Sequence, residues 1–164
     1  MIAYKLLRPS GIAPFSGTHW PPPGVWLDAG GIESCRAGIH ACRPAHLPLW
    51  LGLGELWEVE LDGELVEHER KVIAERGRLL RRVDEWNEDT GRSFHDDCAA
   101  EVRRRAERMP ELSDYAADAA ATPVPAVAAF IGARAAEVQD GPSGYDAERR
   151  RQADWLTRVL QLQG

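Results

Sequence analysis

The sequence predicts an α+β fold, a small antiparallel β-sheet module followed by an alanine-rich helical half packed with it. Three observations carry that expectation. The first 48 residues hold seven of the eleven prolines and six of the fifteen glycines, a density that excludes long helices. Trp57, Val59 and Leu61 alternate with Glu58, Glu60 and Asp62, the pattern of a half-buried strand. Fourteen alanines then fall between Ala99 and Ala136, where the apolar spacing becomes helical. With 164 residues the chain has enough length for one core and an appendage, and we expect 1–83 and 84–164 to form one compact unit.

In chain order, Ile2 to Leu7 reads as an opening strand and Val25-Trp26-Leu27 as a second. The loop between them is marked by Pro9-Ser10-Gly11 and Pro14-Phe15-Ser16-Gly17. Pro44 to Leu51 reads as a short helix with Leu47, Trp50 and Leu51 inward. Asp62-Gly63 predicts a tight turn from the strand Glu55–Asp62 into Glu64–Glu67, followed by a strand over Arg70–Ala74. Residues 77–86 fit a helix or a strand equally. Cys98, Val102, Ala106 and Met109 form a helical stripe ended by Pro110, and Leu112, Tyr115 and Ala119 form another. Thr122-Pro123 predicts a helix start, with Val124, Val127, Ala128, Ile131, Ala135 and Val138 on its inner face. A loop through Gly141-Pro142-Ser143-Gly144 leads to a final helix with Trp155, Leu156, Val159 and Leu160 inward.

Charge and cysteine content narrow the function. The formal net charge of −6 lies wholly in the second half. Residues 1–83 carry ten basic and ten acidic side chains, and residues 84–164 carry ten and sixteen. Such a chain is poorly suited to phosphate neutralisation, so no nucleic-acid partner is expected. The clusters Arg76, Arg78, Arg81, Arg82 and Arg103 to Arg105 and Arg149 to Arg151 stand beside carboxylates and read as solvated faces. No apolar run reaches the ~20 residues of a membrane span, and the N-terminus lacks export features. Three cysteines, Cys35, Cys42 and Cys98, do not suit a disulfide scaffold, so a reduced cytoplasmic location is expected.

Reactive side chains are densest between Cys35 and His46. Cys35, His40, Cys42 and His46 are ligand types that zinc accepts, but their spacing fits no standard finger or ribbon, and zinc is not favoured. A second reading makes Cys42 or Cys35 a nucleophile, with His40 or His19 as base and Arg36 or Arg43 lowering the thiol pKa. A third makes both cysteines small buried hydrophobes. Trp20 and Trp26, together with Tyr4, Lys5 and Arg43, complete the set of candidate ligand-binding residues. Tyr4-Lys5, His40 and Glu58 or Glu60 also follow the layout of NAD-consuming transferases, without any specific motif. Cys98 reads as core, and His95-Asp96-Asp97 reads as an acidic helix start that complements the helix dipole.

Gly38-Ile39-His40-Ala41-Cys42, preceded by Cys35 and followed by Pro44, resembles the GFHAC-type signature of a family of small, uncharacterised bacterial and phage proteins. The likeness extends over roughly residues 1–80 through Tyr4-Lys5, Leu47–Leu51, Leu56–Glu60 and Lys71–Ala74. It implies a common β-rich module with variable tails and brings no activity with it. Two functional expectations result. One is a cytosolic small-molecule-binding protein or enzyme with a pocket centred on His40, Cys42, Cys35 and His19, the reaction and any cofactor being unknown. The alternative is a non-catalytic interaction or immunity-like accessory module that uses the acidic helical half, with a protein partner or a homodimer as its assembly.

Overall fold

The computed structural model describes residues 1–32, 37–52 and 54–163. Its architecture is α+β, with an antiparallel sheet in the first half and helices in the second. The chain divides into two compact units. One comprises Met1–Leu47, Leu53–Trp86 and Leu162–Gly164, and the other Pro48–Gly52 and Asn87–Gln161. The main division lies between Trp86 and Asn87, and each unit takes a short segment from the other half of the chain.

The sheet unit contains β1 (Ile2–Leu7), β2 (Leu27–Asp28), β3 (Ile39–Ala41), β4 (Glu55–His68) and β5 (Lys71–Arg82). β1 pairs with β4, β4 with β5, and both β2 and β3 with the far edge of β5, all antiparallel. Beyond β3, Cys42 returns to β1. Tyr4 N donates to Cys42 O at 2.8 Å and Cys42 N to Tyr4 O at 2.9 Å. That bridge closes the circuit β1-β4-β5-β3 into a small barrel and satisfies an edge that would otherwise stand open.

Two register shifts in the β4–β5 pair, at Glu58/Val59 and Asp62/Leu65, provide the curl. The second corrects the expected turn. Asp62-Gly63 is a bulge inside a 14-residue strand, and the hairpin turns after His68. Gly63 has φ +81°, and two residues there oppose Glu75 alone. A glycine in the left-handed region suits such a bulge as well as a turn, so the local signal was real and its outcome depended on pairing. Residues 77–82 resolve as strand, and Arg70–Ala74 is the first part of that long β5. The expected strand at 25–27 is shorter and shifted to Leu27–Asp28, although Gly24 and Ala29 also bond to the edge of β5.

The barrel interior is one apolar cluster that includes Ala3, Leu7, Ile39, Ala41, Val59, Leu61, Val72, Ala74 and Leu79, with Ala13 and Trp20 from the β1–β2 loop. On the outer face, Glu58, Glu60 and Asp62 of β4 pair with Arg81, Arg78 and Arg76 of β5. Arg82 pairs with Glu55 and Asp84. The basic cluster at 76–82 is thus a ladder of cross-strand ion pairs. Residues 44–49 form a 3₁₀ turn in which Leu47 is buried. Trp50, expected inward, is 40% exposed.

The helical unit contains α1 (Glu88–Arg108), a 3₁₀ turn at Pro110–Leu112, α2 (Ser113–Ala121), α3 (Pro125–Asp140) and α4 (Pro142–Val159). Asn87 caps α1 by accepting from Thr90 N at 3.1 Å, with Glu88 and Asp89 in the first turn. His95-Asp96-Asp97 therefore lies about two turns inside α1, and the helix-start reading is corrected. α3 begins at Pro125, with Val124 rather than Thr122 at its N-cap. Its inner face is made of alanines, and Val127 and Val138 point outward. Val159 of α4 is likewise exposed, whereas Leu156 and Leu160 are buried and the Trp155 ring meets Phe94 in a tilted pair with centroids 5.2 Å apart. The expected loop at 141–144 has shrunk to Gly141, because Gly144 is already helical. A side chain at Gly144 would meet Ala136 O at 2.4 Å, so glycine there lets α4 approach the α3 backbone. No helix among the described residues is long and apolar enough to cross a membrane.

Candidate functional site

Strand alternation sorts the candidate residues of the sheet unit between two faces. In β1, Ala3, Lys5 and Leu7 share the inward face, and Tyr4 points out. Lys5 therefore enters an otherwise apolar interior, opposite Trp57 of β4 in register. Its Nζ donates to His40 O at 2.6 Å and lies 5.3 Å from the centre of the Trp20 ring. Trp20 is 8% exposed, and Trp57 packs on the same cluster from the strand side. No carboxylate pairs with Lys5 among the described residues. Glu55, which shares the face, accepts from Trp57 Nε1 at 3.1 Å and pairs with Arg82 instead. Burial strips water from the ammonium and lowers its pKa to about 8.

An ammonium has three N–H donors, and one is used among the described residues. The cation is held by a carbonyl dipole and an indole face, both weaker partners than a carboxylate. When the amine loses its proton, one N–H can still bond to His40 O while the lone pair stays free. The site is thus a single amine beside the Trp20 indole, on a residue opposite Trp57 in register, suited to an oxygen acceptor or a carbonyl carbon.

The remaining candidates lie elsewhere. The side chains of Tyr4, His40 and Cys42 share the outer face, by the strand alternation and the Tyr4–Cys42 bridge. Tyr4 is fully buried, its hydroxyl donating to Gln163 O at 3.1 Å and accepting from Gln163 N at 2.8 Å. Burial raises its pKa. Cys42 is 5% exposed, its Sγ donates to Tyr4 O at 3.5 Å, and burial pushes the thiol up to about 12. A group so displaced is a thiol at neutral pH, the opposite of an activated nucleophile. His40 is lowered by burial and by the cations Lys71 and Lys5. His19 is exposed in the β1–β2 loop, where it bridges to Ile12.

Trp26 is covered on the outer face by the guanidiniums of Arg76 and Arg78, at 4.9 and 4.7 Å from its ring centre. Arg43 pairs with Glu67. Cys35 and Arg36 lie outside the described residues. Among the described residues no three His, Cys, Asp or Glu side chains are placed to hold a metal ion. Of the transferase-like layout, Tyr4 faces outward opposite Glu58 in register and His40 shares that face, while Lys5 faces inward and Glu58 and Glu60 pair with Arg81 and Arg78. The structure brings Lys5 and Trp20 together and adds Trp57, which the sequence pattern had marked as core alone.

The helical unit holds a second polar group that the apolar stripes did not reveal. Glu148, with a side chain 1% exposed, accepts from Arg151 Nε at 3.0 Å and from Gln152 Nε2 at 2.9 Å. Arg151 also donates to Asp97 of α1 at 2.6 Å, and Arg105 of α1 donates to Asp140 at 3.0 Å. Burial pulls the Arg151 pKa down, but its bonds to Glu148 and Asp97 outweigh that and leave it above its usual value. Gln152 is fully buried and closes the set through Ala129 O and Arg149. Glu148, Arg151, Asp97, Arg105 and Asp140 pair with one another, which marks a structural network, while the buried Arg149 bonds to neutral oxygens and its Nη2 has no hydrogen-bond partner among the described residues.

Comparison of the chain with models of protein families, with curated proteins and with solved structures gave no match.

Proposed function

We propose that the sheet unit is a small-molecule-binding module, working in the reduced cytoplasm, whose ligand presents a carboxylate or carbonyl oxygen to Lys5 between Trp20 and Trp57. The observation that carries this reading is an inward-facing ammonium with no carboxylate partner among the described residues. A buried lysine kept without a counter-charge costs stability, and an acceptor on a ligand would offset that cost. The indoles offer planar apolar surface at little entropic loss. This moves the expected pocket from the His40 and Cys42 side chains to the opposite side of the same strands. We take the module to be the one shared with the GFHAC-type family.

Ligand-observed NMR of a library of small carboxylates and carbonyl compounds tests the reading. We expect ligands that bind the wild type and lose binding in Lys5→Met. Ligands that bind both proteins equally, or none at all in these classes, would overturn it.

A second reading, self-association through the helical unit, is favoured by one observation. Val127, Phe130 and Val138 are 42%, 49% and 46% exposed along one side of α3. Sedimentation at rising concentration should then show a dimer that Phe130→Glu disperses; a monomer throughout would remove the reading.

A further inference from the structure

We infer that Lys5 is a carbonyl-reactive amine, forming a reversible imine with a small aldehyde or ketone that enters between Trp20 and Trp57. The inference rests on the ligand site proposed above and names its chemistry.

Three features of the geometry support it. The amine is fixed in place: one N–H is tied to His40 O at 2.6 Å, and the Trp20 ring lies 5.3 Å away. No carboxylate among the described residues holds the proton on it. Lys5 as a whole residue is half-buried rather than fully enclosed. Burial adds reactivity. With a pKa of about 8, roughly 20% of the Lys5 amine is neutral at pH 7.4, against roughly 0.1% for an ordinary lysine. Desolvation of a lysine in an apolar site is a general route to such a nucleophile.

In the reaction the neutral amine adds its lone pair to the carbonyl carbon, and the carbonyl oxygen takes up a proton to give a carbinolamine. Loss of that hydroxyl with the remaining nitrogen proton releases one water and leaves the C=N bond. One amine and one carbonyl give one imine and one water, with no change of oxidation state. The bond to His40 O is given up at this stage, and the product stays between the indoles.

The sequence supplies its own control, because Lys5 and Lys71 are its two lysines and Met1 carries the one other amine. Benzaldehyde, a planar probe, is incubated with the full-length protein and sodium cyanoborohydride, which reduces the imine to a stable secondary amine. Peptide mapping then reads the three amines in the same molecule, so the result does not depend on a variant that folds. We expect Lys5 to be modified at least about ten-fold faster than Lys71, at a rate that rises to about pH 8 and then levels. Lys5→Arg, which keeps the cation and removes the nucleophile, should abolish that adduct. Modification of Lys71 or Met1 as fast as Lys5 would overturn the inference. If Lys5-dependent ligands are found by NMR while Lys5 forms no adduct, the imine fails and the binding reading stands. If neither appears, both fail.

Discussion

Two sites, one in each unit, hold charge in opposite ways. In the helical unit the buried Glu148 meets Arg151 and Arg105, with Asp97 on the far side of Arg151, and each of these four ions finds a partner within hydrogen-bond or ion-pair distance. In the barrel, Lys5 enters with a backbone carbonyl and an indole face for company. The first arrangement is self-sufficient and specifies how α1 and α4 meet. The second keeps a desolvated amine whose donors are incompletely used. Buried charge by itself therefore says little about function, and what distinguishes the two sites is whether the fold completes the pairing.

Breaking the complete network should have the largest effect. Glu148→Ala takes away the buried carboxylate that Arg151 and Gln152 share, leaving Arg151 to Asp97 alone, and should destabilise the helical unit by about 2–3 kcal/mol. Urea unfolding followed by the circular dichroism of the helices would read the loss. A change under 1 kcal/mol would mean that the network is wetter than it looks.

Removing the incomplete charge should act in the other direction. Lys5→Met is expected to stabilise the barrel at pH 7 by about 1–3 kcal/mol, since the cation's desolvation is no longer paid for. The sign follows from linkage. The folded-state pKa of about 8 lies below the ordinary 10.5, so the unfolded chain binds more protons between those values. Wild-type stability should fall as the pH drops from 10.5 to 8 and stay level below, while Lys5→Met lacks that slope. The difference between the two proteins should therefore shrink towards pH 10.5.

Smaller effects mark the boundary of the comparison. Asp62→Asn removes one rung of the exposed β4–β5 ladder and should leave the unfolding midpoint unchanged within error, because solvent screens such pairs. Cys42 and Cys98, both pushed up to about 12 by burial, should resist iodoacetamide in the native protein at pH 7.5 and react once it is unfolded. Native labelling at Cys42 would restore the nucleophile reading.

Much of the fold was legible because its signals are local. The alternation at 55–62, the proline-rich start and the alanine-rich helices each identified an element. The faces were harder. Ile2, Tyr4 and Leu6 look as apolar as Ala3 and Leu7, so which set turns inward is decided by β4 and by the Cys42 bridge, far away in sequence. That choice puts Lys5 inside, and β1 alone does not reveal it. Lys5 and Trp20 were recognisable as candidates from residue type, whereas their approach to each other depends on the β1–β2 loop folding back.

Asp62-Gly63 carries the same chemistry for a turn and for a bulge, and the pairing of Leu65 with Ala74 decides between them. α3 is apolar on every side as far as Ala133, so that stretch of its sequence gives no phase. Small alanines took the inner face where close packing with α4 rewards them. The buried Glu148 and Gln152 were invisible to a search for apolar stripes, because Asp97 and Arg105 complete the network from about fifty residues away.

The central claim is that an inward amine, without a carboxylate partner among the described residues, has its pKa lowered to about 8 in the barrel. Selective ¹³C labelling of lysine gives two Cε signals in this chain, and Lys5→Met assigns them. We predict that the Lys5 signal titrates near pH 8. Titration at the ordinary lysine value of about 10.5 would contradict the account, because it would show an ammonium that is hydrated or paired.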